Sequence, residues 1–446
     1  MNYPKGFRFG VATCAAQIEG CGLDGGRGES IWDVFARRPG AIADGSNPSS
    51  GACDSYRLFD VDLWNMMDLG VNAYRMSIAW GRVMPEGTGR INQQGVDYYK
   101  RCFEKLLKAG IEPNVTLYHW DLPQALESRG GWMNRDSKYW FQEYAANMFR
   151  IFGDIVPVWA TVNEPIATYV GYGQGVFAPG YTNKRWGNQA RHNIMTAHGA
   201  GVEAFRASGA KGEIGVVIDI WKRIPISDAP EDIALAHDED EENWKFYTDR
   251  LLGTGYSQYI LDKFAREGTL MDMEDEDFRL SNLPIDFYGM NYYNTVPVGK
   301  GKGRKTTGEN GGNFAEDRNT TNPEGMAPVL RMIMDMYSLK LPVYISENGF
   351  GHAGMETPDA KDGMIHDDDR INYLSRALQT VDSMLGEGMD IRGYYLWSLM
   401  DNFEWSAGNT YRYGIIHTDF DTYRRTWKKS AYWYRDYIRQ NRAVRG

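Results

Sequence analysis

The sequence predicts an α/β fold with a parallel sheet, a single-domain (β/α)8 TIM barrel that spans residues 1–446. Short β-rich runs alternate with longer segments of helical period along the whole chain. This alternation indicates βα units, and eight such units can close on themselves into a barrel. No repeat of fixed spacing and no low-complexity linker divides the 446 residues. A doubly wound open sheet is the second architecture that fits the pattern.

Eight segments predict the strands of this sheet, because each is short, apolar and rich in β-branched or aromatic residues. They are residues 9–13, 73–78, 113–118, 156–162, 214–218, 287–292, 343–346 and 393–397.

Helices are predicted between the strands. Val96, Tyr99, Phe103, Leu106 and Leu107 recur at helical spacing before a glycine at position 110, which predicts a helix that ends there. A second series of the same spacing runs through residues 371–385.

Two segments are predicted as decorations of the barrel, near residues 228–242 and 299–326. Residues 228–242 are strongly acidic, and residues 299–312 are rich in Gly with Lys and Arg interspersed. Both compositions are typical of solvated loops, and neither segment is assigned a role.

The charge balance disfavours polyanionic partners. Forty-nine basic residues against fifty-nine acidic ones give a net charge of −10, which argues against nucleic acid and against an anionic membrane. The uncharged stretch 165–183 contains several Gly and a second Pro, which is wrong for a membrane-spanning helix.

The cellular compartment and the cofactors are predicted from sequence features that are missing. The chain starts without an apolar leader, and its four Cys form no Cys-x-x-Cys pair, so we expect reduced thiols and a cytoplasmic location. Its seven His show no metal-ligand spacing, and residues 20–25 spell a dinucleotide-loop pattern outside any βαβ unit. No metal and no organic cofactor is expected. Assembly into a homo-oligomer is left open.

Two short carboxylate motifs carry the chemistry. Glu164 follows Asn163 and precedes Pro165, and Glu347 stands in the sequence Ile-Ser-Glu-Asn-Gly. Each motif ends a predicted strand, where barrel enzymes keep their catalytic groups. A single Glu of this kind is more often a surface ion-pair partner. Two carboxyl groups of unlike protonation, about 5–5.5 Å apart, are what cleavage of a glycosidic bond with retention requires.

The sequence resembles glycoside hydrolase family 1, the β-glucosidase and β-galactosidase family, almost from end to end. Besides the two Glu motifs, the likeness rests on blocks that follow one another in the family's order. These are FGVATCAAQIEG at 9–20, RMSIAWGR at 75–82, LYHWDLP at 117–123, WSLMDNFEW at 397–405 and KKSAYWY at 428–434.

This resemblance implies that Glu164 is the general acid and base, and that Glu347 is the nucleophile of a covalent glycosyl intermediate. Arg75 and Tyr293 match the pair that contacts the nucleophile in this family. A guanidinium favours the ionised form of a neighbouring carboxylate, and a phenol can donate a hydrogen bond to it.

The remaining matches predict the substrate site. Trp397 matches the aromatic floor beneath the innermost sugar, while Asn291 and Tyr293 match further polar contacts. The residues that match hydrogen-bonding positions for the glycone hydroxyls are Gln17, His119, Asn163, Glu404 and Trp405.

Departures from the family pattern refine the expected substrate. Ile166 stands where many bacterial relatives carry Trp, which predicts a less aromatic aglycone subsite. Tyr413 stands where relatives often have Phe, and in this it is similar to the 6-phospho-β-glycosidase branch. That branch, however, usually has Ser in place of Glu404 and a Lys near Tyr411. Neutral sugars are therefore expected. Glu164 argues against the plant thioglucosidases, which often lack the acid.

The expected function is a retaining β-glucosidase, with β-galactosidase or β-fucosidase activity as well. Its expected partners are small β-glycosides and oligosaccharides such as cellobiose, as in cellulose degradation. Two alternatives stay open. A sugar-binding protein on an inactivated hydrolase scaffold would have lost Glu164 or Glu347, and a transglycosylating enzyme would share every site residue.

Overall fold

The computed structural model describes residues 3–253, 255–300, 321–354 and 356–443. Its centre is a closed barrel of eight parallel strands in which each strand pairs with its neighbours in the sequence, and β8 closes onto β1. The strands are β1 Arg8–Ala12, β2 Ala73–Ser77, β3 Glu112–Tyr118, β4 Val158–Asn163, β5 Glu213–Asp219, β6 Phe287–Asn291, β7 Val343–Asn348 and β8 Ile391–Trp397. The predicted (β/α)8 barrel is confirmed, and the open sheet is excluded.

All eight predicted strands are present, each within two residues of its predicted bounds. The differences arise because pairing with the neighbouring strand, rather than composition, decides where a strand ends. Irregular register in β4 and β7 lies next to the two Glu motifs.

Helices fill the connections between the strands. The longer ones are Ser55–Leu69, Gln93–Lys108, Ser137–Phe152, Lys184–Ser208, Pro230–Glu242, Trp244–Leu251, Gln258–Glu267, Asp275–Ser281, Met326–Tyr337, Asp368–Gly386 and Lys429–Ala443. Short helices and turns are Ala15–Ile18, Asp24–Gly26, Ile31–Phe35, Pro48–Gly51, Trp80–Val83, Gln124–Glu127, Gly131–Met133, Ile166–Tyr169, Val170–Gln174, Pro323–Gly325 and Trp405–Ala407.

In the described part of the chain, three small two-stranded sheets lie outside the barrel. They pair Arg223–Pro225 with Val296–Val298, His352–Ala353 with Tyr411–Arg412, and Ile416–Thr418 with Arg425–Trp427.

Helix Gln93–Lys108 confirms the helix predicted from the spacing of apolar residues before position 110. Val96, Tyr99, Phe103 and Leu106 are buried at helical spacing, whereas Leu107, counted with them in the sequence, is 44% exposed. Lysines occupy the last turn, where a cation interacts favourably with the helix dipole. The helix stops before a glycine with a positive φ of 74°, a conformation that ends helices.

The acidic segment 228–242 is not the solvated loop that its composition predicted. It forms helix Pro230–Glu242, which has a proline in its first turn and acidic residues that suit the positive end of the helix dipole. Several of its carboxyl groups are buried against cations from neighbouring segments, such as Glu239 against Arg223 at 3.3 Å. Composition alone could not show these partners.

The second decoration lies largely outside the described residues, because residues 301–320 are not described. Its described flanks are strand Val296–Val298 and the turn Pro323–Gly325, which leads into helix Met326–Tyr337. Within the described ranges, no helix combines the length and the apolar character that crossing a membrane requires.

Candidate active site

The carboxyl ends of the barrel strands gather the predicted site residues. Arg75 lies on β2, Asn163 ends β4, Asn291 ends β6, and Glu347 lies near the end of β7. The others lie on β8 or on the segments that follow β1, β3, β4, β6 and β8. All eleven are buried: Gln17, Arg75, His119, Asn163, Glu164, Asn291, Tyr293, Glu347, Trp397, Glu404 and Trp405.

Glu347 has a separate partner for each carboxylate oxygen. The Arg75 guanidinium forms an ion pair with Oε1, and the Tyr293 hydroxyl donates to Oε2 at 2.9 Å. Arg75 and Glu347 have side chains only 1% and 4% exposed, so this pair is well shielded from water. A buried carboxylate needs such charge-assisted partners.

Glu164 lies in a different environment, since no Lys, Arg or His side chain of the described residues forms an ion pair with it. It accepts a hydrogen bond of 2.6 Å from the side-chain amide of Asn291. Burial raises the pKa of Glu164 well above its usual value, and the negative charges of Asp219 and Glu347 add to this effect. The hydrogen bond from Asn291 and the charge of Arg75 act in the opposite direction without reversing it. This environment favours a protonated Glu164.

The backbone of Glu164 has a positive φ of 42°, which is costly for a residue with a side chain. Its N–H donates to the carbonyl of Val217 on β5 at 2.9 Å, which holds the unusual conformation in place. Trp120 and Trp405 in the same site also have positive φ values, of 75° and 50°. Conformations of this kind persist where surrounding contacts fix them, and they concentrate at functional sites.

Asn163 links the two carboxyl groups. Its Oδ1 accepts hydrogen bonds from Arg75 at 2.6 Å and from Asn291 at 3.2 Å. Its Nδ2 lies 3.1 Å from Nε2 of His119, and because the amide nitrogen can only donate, Nε2 must accept.

The ring of His119 therefore has a proton to offer. Burial lowers the pKa of His119 well below its usual value, and the charge of Arg75 adds to the effect, so the ring is neutral. With Nε2 as the acceptor, Nδ1 carries the proton. Nδ1 is buried without a hydrogen-bond partner among the described residues, which leaves a donor available for a ligand.

Gln17 and Glu404 form a second polar group on the other side of the site. The Gln17 amide donates to Glu404 at 3.3 Å, to Oδ1 of Asn402 at 3.0 Å and to the carbonyl of Phe403 at 2.9 Å. Burial raises the pKa of Glu404 to about 8, with a further contribution from the charge of Glu347. Glu404 is therefore poised to donate or to accept a hydrogen bond near neutral pH.

Aromatic rings surround these polar groups. Trp397 and Trp405 lie nearly parallel to the His119 ring, with centroids at 5.9 and 6.1 Å. Trp120 packs on Trp405 at 4.5 Å and donates its indole N–H to the carbonyl of Asn163 at 2.9 Å. Flat aromatic faces beside hydrogen-bonding groups suit a ring that has both C–H and O–H surfaces.

Other residues of the site were not singled out from the sequence. The Ser346 hydroxyl donates to Oδ1 of Asn291 at 2.8 Å and so orients the amide towards Glu164. Trp221 stacks on Tyr293 at 5.9 Å, with the ring planes 8° apart. Asp219 ends β5 and lies near Glu164. The strand-end rule that selected Glu164 would have found Asp219 as well.

Metal ligands are not assembled anywhere in the described ranges, since no three His, Cys, Asp or Glu side chains there are grouped to hold an ion. The groups that this site brings together for chemistry are two carboxyl groups, one ion-paired and one favouring its protonated form.

The chain is similar to known proteins over almost its whole length. A family model described as Glycosyl hydrolase family 1 matches residues 1–443. The chain is 38% identical over 448 residues to Beta-glucosidase A of Acetivibrio thermocellus, an alignment that covers 99% of each chain. It is also similar to solved structures of the β-glucosidase from Thermotoga maritima, again with 99% of each chain covered. The complex with glucoimidazole gives a TM-score of 0.90 at 37% identity, and the complex with galacto-hydroximolactam gives 0.89 at 38%. The resemblance seen in the sequence is confirmed: this chain is a glycoside hydrolase and belongs to glycosyl hydrolase family 1.

Proposed function

We propose that the protein is a retaining β-glucosidase that releases the non-reducing terminal sugar of short β-glycosides through a covalent glycosyl-enzyme intermediate. The observation that carries this proposal is the difference between the environments of two buried carboxyl groups. Glu347 is ion-paired with Arg75, whereas Glu164 lies where its protonated form is favoured. Two carboxyl groups in these two states are what retaining glycosidases use.

In the first step, a carboxylate oxygen of Glu347 attacks the anomeric carbon while the bond to the leaving oxygen breaks. Glu164 gives its proton to that oxygen, so the leaving group departs as a neutral alcohol. Arg75 and Tyr293 hold the attacking carboxylate in position through its two oxygens. In the second step, the ionised Glu164 takes a proton from water, which attacks the anomeric carbon and restores Glu347.

The glycone is proposed to sit between the polar groups and the indoles. Nδ1 of His119 is a donor without a partner in the described ranges, and Glu404 can bridge two hydroxyls such as those at C4 and C6. Trp397 provides the apolar floor. The other residues proposed to contact the glycone are Gln17, Asn163, Asn291, Tyr293 and Trp405.

The proposed substrates are β-glucosides, with β-galactosides and β-fucosides as further substrates, and disaccharides such as cellobiose. The Thermotoga maritima relative supports this breadth, because it has been solved with both glucoimidazole and galacto-hydroximolactam. A phosphorylated sugar is disfavoured, because burial and the charge of Glu347 already oppose negative charge at Glu404, and a phosphate dianion there would add to it. A cytoplasmic location stays a prediction, supported by four free cysteines.

The experiment that tests this proposal combines turnover with azide rescue. p-Nitrophenyl β-D-glucoside is given to the wild type, to Glu164→Gln and to Glu347→Gly, each with added azide. Glu164→Gln should yield β-glucosyl azide, because the azide replaces water in the second step. Glu347→Gly should yield α-glucosyl azide, because the azide replaces the missing nucleophile.

Failure would also be informative. Azide products of the same configuration from both variants would contradict the two roles. A wild type that turns over neither glucoside, galactoside nor fucoside would contradict the hydrolase function and would favour a sugar-binding protein on this scaffold. Conversion mainly to longer oligosaccharides would identify a transglycosylating enzyme.

A further inference from the structure

Asp219 is a third carboxyl group at the barrel mouth that the mechanism above does not use. It is the last residue of β5 and is 8% exposed. Among the described residues, no other side chain donates a hydrogen bond to its carboxyl, which is instead bonded to its own backbone N–H. Burying a carboxyl group without a partner side chain is costly, so a carboxyl group at this position calls for a function.

The barrel topology places Asp219 beside Glu164. Strand β5 lies between β4 and β6, and Asp219 pairs in register with Asn291 on β6. The Asn291 side chain reaches past the end of β5 to Glu164 on the β4 side, at 2.6 Å. The backbone N–H of Glu164 is itself bonded to Val217, two residues before Asp219. Asp219 and Glu164 therefore lie at the ends of adjacent strands, and the charge of Asp219 acts on Glu164.

The cations around this volume are engaged elsewhere. Arg75 is paired with Glu347 and Asn163, and Arg223 donates to Glu239 at 3.3 Å. The charged or titratable groups that face Glu164 or Asp219 from the surrounding elements are Arg75, Arg223, Glu347, Tyr247, Tyr288, Tyr293 and Tyr413. Neither cation forms an ion pair with Glu164 or Asp219 among the described residues, whereas the negative charges of Asp219 and Glu347 both act on Glu164.

We propose that Asp219 is a positioning residue for proton transfer, whose ionised carboxylate keeps the proton on Glu164 until the leaving oxygen takes it. This inference rests on the proposed function, because it assigns to Asp219 a role in the step that Glu164 carries out. The proton passes from Glu164 to the glycosidic oxygen as before, and Asp219 neither gains nor loses one in that step.

The electrostatic consequence has a definite sign. Asp219 makes the largest electrostatic contribution to the raised pKa of Glu164, ahead of Glu347. Burial raises the pKa of Asp219 itself to about 7, so its carboxyl group is charged on the alkaline side of the pH profile. The first step needs protonated Glu164, so activity falls as the pH rises through the pKa of Glu164. Removing the charge of Asp219 lowers that pKa, and the alkaline side of the pH profile moves to lower pH.

The test is the pH dependence of kcat/KM for cellobiose, whose leaving sugar needs the proton. Asp219→Asn, which is nearly isosteric and neutral, is expected to move the alkaline limb down by about one pH unit, the lower end of what a single nearby charge produces. Asp219→Glu keeps the charge and should leave the limb close to that of the wild type. Asp219→Ser serves as a second neutral variant if the Asn variant folds poorly.

A matched control is Glu127→Gln. Glu127 is also a buried carboxyl group with a raised pKa, but it is bound by Tyr172 and is not among the main causes of the raised pKa of Glu164. Its alkaline limb should stay in place. A neutral variant of Asp219 that loses activity equally at every pH, or whose limb does not move, would overturn the inference. Absence of glycoside turnover by the wild type would instead contradict the proposed function.

Discussion

The side-chain amide of Asn291 donates a hydrogen bond of 2.6 Å to Glu164, while its oxygen accepts one of 2.8 Å from Ser346 on β7. The amide can therefore adopt only one of its two orientations, with the nitrogen facing Glu164. Because Ser346 directly precedes Glu347, the strand that carries one carboxyl group orients the partner of the other. The two carboxyl groups are thus positioned by a shared network of hydrogen bonds.

Asn291→Ala should move the pH profile in the opposite direction from Asp219→Asn. The hydrogen bond from Asn291 lowers the pKa of Glu164, so its loss should raise that pKa further and carry the alkaline limb of kcat/KM to higher pH. We also expect kcat/KM to fall by about 10- to 100-fold, as for a lost hydrogen bond to a charged or reacting group. The measurement is kcat/KM for cellobiose from pH 5 to about 9. A limb that moves to lower pH would contradict the assigned contact.

Tyr293→Phe should slow the reaction while leaving the ring in place. It removes the hydroxyl that donates to Glu347 at 2.9 Å but keeps the stacking surface against Trp221. We expect kcat/KM for p-nitrophenyl β-glucoside to fall by about 10- to 100-fold, the cost of one charge-assisted hydrogen bond. Tyr292→Phe is the matched control, since that hydroxyl donates to the carbonyl of Asn322 instead. Equal losses in both variants would mean that the effect is structural.

Glu404→Ser should alter the choice between sugars that differ at C4. If Glu404 bridges the hydroxyls at C4 and C6, its loss should raise KM for both glucoside and galactoside and change the ratio of their kcat/KM values. We expect each KM to rise by about tenfold, since one to two hydrogen bonds are lost. Glu404→Gln keeps the shape and should have a smaller effect. An unchanged KM and an unchanged preference would rule out this contact.

Asp401→Asn should lower the stability of the fold without a direct effect on the chemistry. Asp401 is buried and forms ion pairs with Lys428 at 2.7 Å and Arg412 at 3.0 Å. Burial alone would raise the pKa of Asp401, but its cationic partners lower it by more, so the pKa lies well below its usual value. Removing the charge of Asp401 leaves buried cations without their anion, and this should lower the free energy of unfolding by about 3–5 kcal/mol at pH 7. Asp390→Asn, in an exposed pair with Arg392, should cost less than about 1 kcal/mol.

The same variant has a predicted pH dependence. A carboxyl group whose pKa is depressed by folding stabilises the protein above its unfolded pKa of about 4, and this stabilisation is lost as the pH falls. The difference between wild type and Asp401→Asn, measured by urea unfolding, should be constant from pH 7 to about 5 and should narrow below about 4. A difference that widens on acidification would contradict the depressed pKa.

Some structural features could not be predicted from the sequence. Helix Pro230–Glu242 was expected to be a loop, because its acidic side chains look solvated until Arg223 and other cations pack against them. The left-handed backbone of Glu164 is fixed by a hydrogen bond to β5, 53 residues further along the chain. Neither contact leaves a local signal in the sequence.

The sequence by itself determined the eight strands, their order in a parallel barrel and the two Glu motifs at strand ends. These depend on local hydrophobic periodicity and on the geometry of βα units, which a short window of residues specifies. Only the tertiary structure decided which groups surround each carboxyl group. Arg75 reaches Glu347 across 272 positions, and Asp219 comes beside Glu164 through the pairing of β5 with β4. Charge and burial act through space rather than along the chain, so the unlike environments of Glu164 and Glu347 exist only in the folded protein.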